Sequence, residues 1–110
     1  MPNQYTITVE QPLKGPLIVE PASLPVQGDN DGDLISVTWI PRQGTQITSV
    51  AGFPSGVSVS GPNAQGGWTG SYNASSIPSI WSYYISAINI ENRFRNDWHD
   101  PEIDNTPPPI

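Results

Sequence analysis

The sequence predicts an all-β domain, an antiparallel two-sheet sandwich of seven to eight short strands. Three observations carry this. Thirteen prolines and ten glycines are spread through 110 residues, a punctuation that suits short strands and turns and breaks long helices. Good helix formers are scarce, with one lysine and one methionine. Several segments alternate apolar and polar residues with period two, at the spacing of about 8–12 residues that marks sandwiches and small barrels.

The segments follow in order. Tyr5-Thr6-Ile7-Thr8-Val9 alternates as a half-buried strand does. Leu17-Ile18-Val19 is a short apolar run between prolines, which predicts an edge or linking strand. The polar stretch from Gln27 to Asp33 is a turn. Leu34 to Ile40 is the strongest strand, with Ile35, Val37 and Trp39 on its core face. Pro41-Arg42-Gln43-Gly44 reads as a turn with proline early and glycine late. Ile47 to Phe53 and Val57 to Val59 are further strands. Trp68 to Tyr72 alternates again, with Trp68 and Tyr72 on one face. Trp81 to Ile90 is the second strong strand, placing Tyr83, Ile85 and Ala87 together, and its phase shift at Ile88-Asn89-Ile90 predicts a bulge. Arg93 to Trp98 is the last strand, continued by Glu102-Ile103. Residues 1–104 are expected to form one domain and 105–110 a flexible, proline-rich tail.

Two of these strands carry a resemblance. Val37-x-Trp39-x-Pro41-x-x-Gly44 is similar to the second strand of a fibronectin type III module, and Tyr83-x-Ile85-x-Ala87-x-Asn89 is similar to its sixth. The chain thus resembles the fibronectin type III and broader immunoglobulin-like families, in a divergent, bacterial form. The resemblance covers about 20 residues. It implies an immunoglobulin-like sandwich with Trp39 and Tyr83 buried at its centre, and it speaks for binding and against catalysis. The chain departs from the family in the long stretch before Trp39, in a third strand without the usual tyrosine pattern, and after residue 92.

Charge and composition exclude several roles. The net charge is −6, with Lys14, Arg42, Arg93 and Arg95 the four basic residues. Such a chain lacks the basic footprint that nucleic acid or an anionic membrane requires. No cysteine is present, so disulfides and thiolate metal sites are out. Met1 to Gln11 has neither a basic start nor an apolar run, which predicts a cytoplasmic protein, with export by another route as the alternative.

Catalysis has little to work with. His99 is the one imidazole, no Gly-x-Ser-x-Gly elbow is present, and Gly66-Gly67 precedes a strand rather than a phosphate-binding helix. The sequence therefore predicts a protein that is not an enzyme and needs no cofactor. His99 is read as an exposed loop histidine and not as a metal ligand. Asp29-Asn30-Asp31-Gly32-Asp33 resembles a calcium loop in composition, but an EF-hand needs glycine sixth and glutamate twelfth, where this chain has Leu34 and Ile40. It is read first as an Asx/Gly turn. The second reading is a calcium site using Asp29, Asp31 and Asp33.

The aromatic residues are the better lead. Four tryptophans and four tyrosines exceed what so small a core can hold. Trp68, Trp81, Tyr84 and Trp98 are the candidate ligand-binding residues, since exposed aromatic side chains anchor protein interfaces and stack on sugar rings. The first expectation is a module for protein–protein interaction or structure, self-association included. The alternative is a lectin-like carbohydrate-binding module, calcium-assisted if the acidic turn takes part.

Overall fold

A computed structural model describes residues 3–26, 34–73 and 79–105. The described residues form eleven strands and no helix. They are β1 (Asn3–Glu10), β2 (Ile18–Glu20), β3 (Ser23–Pro25), β4 (Leu34–Pro41), β5 (Thr45–Ala51), β6 (Ser58–Ser60), β7 (Trp68–Asn73), β8 (Ser79–Ser82), β9 (Tyr84–Asn89), β10 (Asn92–His99) and β11 (Glu102–Asn105). They make a five-stranded sheet β2-β1-β4-β7-β6 and two three-stranded sheets, β10-β9-β5 and β3-β11-β8. The all-β expectation holds, with more and shorter strands than the seven or eight expected.

The centre of the large sheet is the strand the sequence marked best. Ile35, Val37 and Trp39 of β4 are at most 1% exposed, and Leu34 and Ile40 face outward. Gly70 of β7 stands opposite Val37. A Cβ there would lie 3.1 Å from the Trp39 ring, so the missing side chain makes room for the indole. The purely antiparallel arrangement needs correction. β1 runs parallel to β4, with Tyr5 opposite Val37 and Ile7 opposite Trp39. The cause is β2, which returns antiparallel to β1, so that the chain re-enters the sheet at β4 in the direction of β1.

A second correction concerns residues 81–90, which form two strands and not one. β9 pairs with β10, Ile85 opposite His99, and β8 pairs with β11, Ser82 opposite Glu102. Both ladders share one register, continuous through Tyr84/Asp100 and Tyr83/Pro101. They are two halves of one long hairpin. The ladder fails where Pro101 has no N–H to give, and one bond survives there, from Tyr83 N to Pro101 O at 3.0 Å. Beyond the break β11 lies between β8 and β3, the latter in parallel. β3 contains Pro25 and, among the described residues, pairs on one side only, as a proline-bearing edge strand should.

The expected bulge at residues 88–90 sits on the neighbouring strands. Thr48 is the extra residue between the Ile47/Ala87 and Ser49/Ser86 pairs, and β10 breaks register between Asn92 and Asn96. Asn105, assigned in the sequence to the tail, closes β11 opposite Ser79. Residues 106–110 lie outside the described residues.

The inward faces of the five-stranded sheet and of β10-β9-β5 contribute to one buried cluster. Its centre is aromatic. Trp39 meets Tyr83 edge-on at 5.4 Å, and Phe53 stacks on Tyr83 at 5.3 Å. The Trp39 indole N–H donates to the Tyr83 hydroxyl at 2.8 Å, which satisfies the one polar atom of a buried indole. Burial pushes the Tyr83 hydroxyl pKa up to about 12, against a smaller lowering by the Trp39 bond. One end of the core is tied by Gln11, itself 1% exposed. The Gln11 backbone N–H donates to the Thr45 hydroxyl at 2.8 Å, and its carbonyl accepts from Asn89 Nδ2 at 2.8 Å. This joins β1 to β5 and β9 through the backbone groups of Gln11.

Candidate functional site

Along β9 the side chains alternate, in phase with Tyr83 before it. Tyr83, Ile85 and Ala87 point inward, while Tyr84 and Ser86 point outward. On β10 the outward residues are Asn96 and Trp98, opposite Ile88 and Ser86. Tyr84 and Trp98 therefore share the outer face of the β10-β9-β5 sheet. They are 54% and 67% exposed, and Trp98 has the highest exposure among the large apolar side chains described.

Their placement is built. The two rings meet edge to face, with centroids 6.3 Å apart and an interplanar angle of 65°, a favoured geometry for an aromatic pair. Tyr84 lies against Gly52, whose φ is +83°, and any Cβ there would overlap the Tyr84 ring. Glycine is required twice over, for the backbone and for the space. Gly52 thus lets Tyr84 lie down, and Tyr84 buttresses Trp98.

Beside the pair runs a row of neutral polar groups. Thr48 Oγ1 donates to Asn96 Oδ1 at 3.0 Å. A hydroxyl has one hydrogen, so in the Thr48–Ser86 contact of 2.7 Å the donor is Ser86. This leaves the Asn96 NH₂ group available on the outer face. Thr48 reaches the row because it is the bulged residue of β5.

The backbone adds a third feature. Among the described residues β10 pairs with β9 alone, whereas the same strand beyond the break, as β11, has neighbours on both sides. The Tyr83–Pro101 bond aims the Pro101 carbonyl at the β9 side, and the Glu102 N–H donates outward to Ala22 O at 2.9 Å. Alternation from there directs the N–H and C=O groups of Trp98 and Asn96 to the free edge. One residue, Trp98, presents its indole on the face and its peptide groups on the edge.

The other candidates lie elsewhere. Trp81 is half-buried against Phe53 and Tyr72, at 5.6 and 5.9 Å. Trp68 is half-buried against the core, over Gly61. Both indole nitrogens are out of solvent. Of the four aromatics named from sequence, the structure brings together Tyr84 and Trp98. His99 is corrected from an exposed loop residue. It ends β10, half-buried, with Nδ1 out of solvent, because the alternation that turns Trp98 out turns His99 in. Asp29, Asp31 and Asp33, with the calcium reading attached to them, lie outside the described residues. Gly52, Thr48, Ser86 and Asn96 were not singled out from sequence. Ser86 shares its parity with Tyr84 and was findable, whereas Thr48 and Asn96 depend on a bulge and a register shift that no residue pattern announces.

No protein-family model matches the chain, and no curated protein matches it.

Proposed function

We propose that the chain is a non-enzymatic protein-interaction module of immunoglobulin-like build, which takes its partner on the outer face and free edge of β10. The build is supported by sheet order. An immunoglobulin constant-type sandwich has strands A-B-E-D in one sheet and C-F-G in the other. Taking β1, β4, β5, β6, β7, β9 and β10 as A to G, the orders β1-β4-β7-β6 and β5-β9-β10 follow that plan. Trp39 then lies on the second strand and Tyr83 at the head of the sixth, as the resemblance implies. The parallel β1 and the small β3-β11-β8 sheet are departures. The non-enzymatic part rests on composition, with no cysteine and one histidine.

The observation that carries the function is the Tyr84–Trp98 pair, exposed yet held in place from below. Tryptophan and tyrosine are the residues that anchor protein interfaces, and a preset ring loses little entropy on binding. A second reading, a neutral glycan, is favoured by the uncharged Thr48-Ser86-Asn96 row beside the rings, since hydroxyl and amide groups next to an aromatic face suit a sugar.

One selection separates the two. Random peptides displayed on phage are panned on the chain and counter-selected on Trp98→Ala. The protein-module reading expects enriched peptides that bind the original chain and not the variant. Failure to enrich such peptides, with a saturable change in tryptophan fluorescence on adding neutral oligosaccharides that Trp98→Ala abolishes, would overturn it in favour of the glycan.

A further inference from the structure

We infer that the partner seated on β10 is a second copy of the same chain, paired antiparallel edge to edge about a two-fold axis at Trp98. This rests on the reading of the chain as a protein-interaction module and names its partner.

The edges themselves narrow the choice. β2, β3 and β6 have three residues each and β8 has four, against eight in β10, and β5 is distorted by its Thr48 bulge; short and bulged strands are common protections of edges. Among the described residues the hairpin strand is covered by β3 along β11 and open along β10. β10 from Asn96 to His99 keeps a regular register with β9, so it is a straight template.

Charge and hydrogen bonding then select the register. The residues with edge-directed peptide groups, Asn96, Trp98 and Asp100, must face one another across the new ladder. Three two-fold registers meet this condition. An axis at Asp97 sets Asn96 against Trp98 and leaves Asp100 opposite residue 94, in the irregular part of β10. An axis at His99 opposes two imidazoles and leaves Asp97 beyond the pairing. With the axis at Trp98, all three edge-directed residues find opposed partners. Trp98 meets Trp98 on the outer face, flanked by the two Tyr84 rings. Asp97 meets His99 twice, in the closer, non-hydrogen-bonded type of pair. Asn96 meets Asp100, and the Asn96 NH₂, whose oxygen is already used by Thr48, donates to an exposed carboxylate.

The product is a continuous six-stranded sheet, β5-β9-β10 and its symmetry mate, with an isologous interface. Five residue pairs and two aromatic pairs make it smaller than a standard interface of about 1,600 Å². Each copy also carries a net charge of −6, which opposes approach at a distance. The dimer is therefore weak and its population follows concentration.

Sedimentation velocity over a concentration series tests this on the full chain. The expected result is a dimer fraction that rises with loading. Trp98→Ala is expected to weaken the dimer at least about tenfold, as loss of an interface anchor does. Asn96→Pro, which removes an edge-directed N–H, should do the same, and Trp98→Ala serves if the proline variant fails to fold. The chain has no cysteine, so single cysteines report the register. Asn96→Cys mixed with Asp100→Cys should form an intermolecular disulfide on oxidation, and neither alone should do so efficiently, because opposed residues lie within disulfide reach. A chain monomeric at every concentration overturns the proposal, as does a dimer indifferent to both substitutions or one lacking that cross-link. A monomer that still selects Trp98-dependent peptides overturns the second copy while leaving the module reading intact.

Discussion

Tyr83 and Tyr84 are consecutive, chemically identical and opposite in use. Tyr83 is 1% exposed, with its hydroxyl bonded to Trp39 and its ring stacked on Phe53. Tyr84 is 54% exposed and carries one ring contact, to a still more exposed Trp98. Each heads or joins an aromatic group, one inside and one outside the same sheet. The inner group has its polar atom satisfied and its rings enclosed. The outer group has rigid geometry and unfilled contact area. The difference suits the first group to stability and, on the proposed reading, the second to recognition.

Substitutions and pH can break or sharpen that contrast. The largest effect is expected from Trp39→Ala, which removes a fully buried indole from the centre of the core. A loss of about 3–5 kcal/mol is expected by denaturant unfolding. High pH comes next. The Tyr83 hydroxyl titrates near 12 when folded and near 10 when unfolded. A raised folded pKa contributes stability that is whole below pH 10 and is lost as pH climbs to 12. Stability should fall by about 2–3 kcal/mol across that window, and Tyr83→Phe should lack this component of the slope. At neutral pH, Tyr83→Phe leaves the Trp39 N–H buried without an acceptor and should cost about 1–3 kcal/mol.

The outer group should respond differently. Gly52→Ala forces a side chain onto a φ of +83° and into the Tyr84 ring. About 1 kcal/mol of stability should be lost, and because Tyr84 must move, dimer population in sedimentation velocity should fall with it. The smallest effect on stability belongs to Trp98→Ala, within about 0.5 kcal/mol for the monomer, despite the loss of the largest exposed side chain. A change at Trp98 as costly as one at Trp39 would erase the distinction between the two groups.

The sequence made the inner group readable because alternation there coincides with burial. Ile35, Val37 and Trp39, and likewise Tyr83, Ile85 and Ala87, occupy the face that period two assigns them. The outer pair was half readable. Tyr84 and Trp98 were named as aromatics in excess of the core, but so were Trp68 and Trp81, which pack against it. Parity separates them in part, since Trp81 shares the alternation of Tyr83, Ile85 and Ala87 and packs towards Phe53 and Tyr72, whereas the outward placing of Trp98 depends on how β10 registers against β9. The parallel pairing of β1 with β4 was hidden for a similar reason, since strand direction follows from the path of β2 and not from any residue of β1 or β4.

The denaturation midpoint as a function of protein concentration, measured for the original chain and for Trp98→Ala, tests the division of labour most directly. Association stabilises the folded state by mass action. The two midpoints should coincide at the lowest concentration and separate as concentration rises, with only the original chain gaining stability. A Trp98→Ala midpoint lower by a large and constant amount at every concentration would contradict the account, because it would place Trp98 among the residues that hold the fold together.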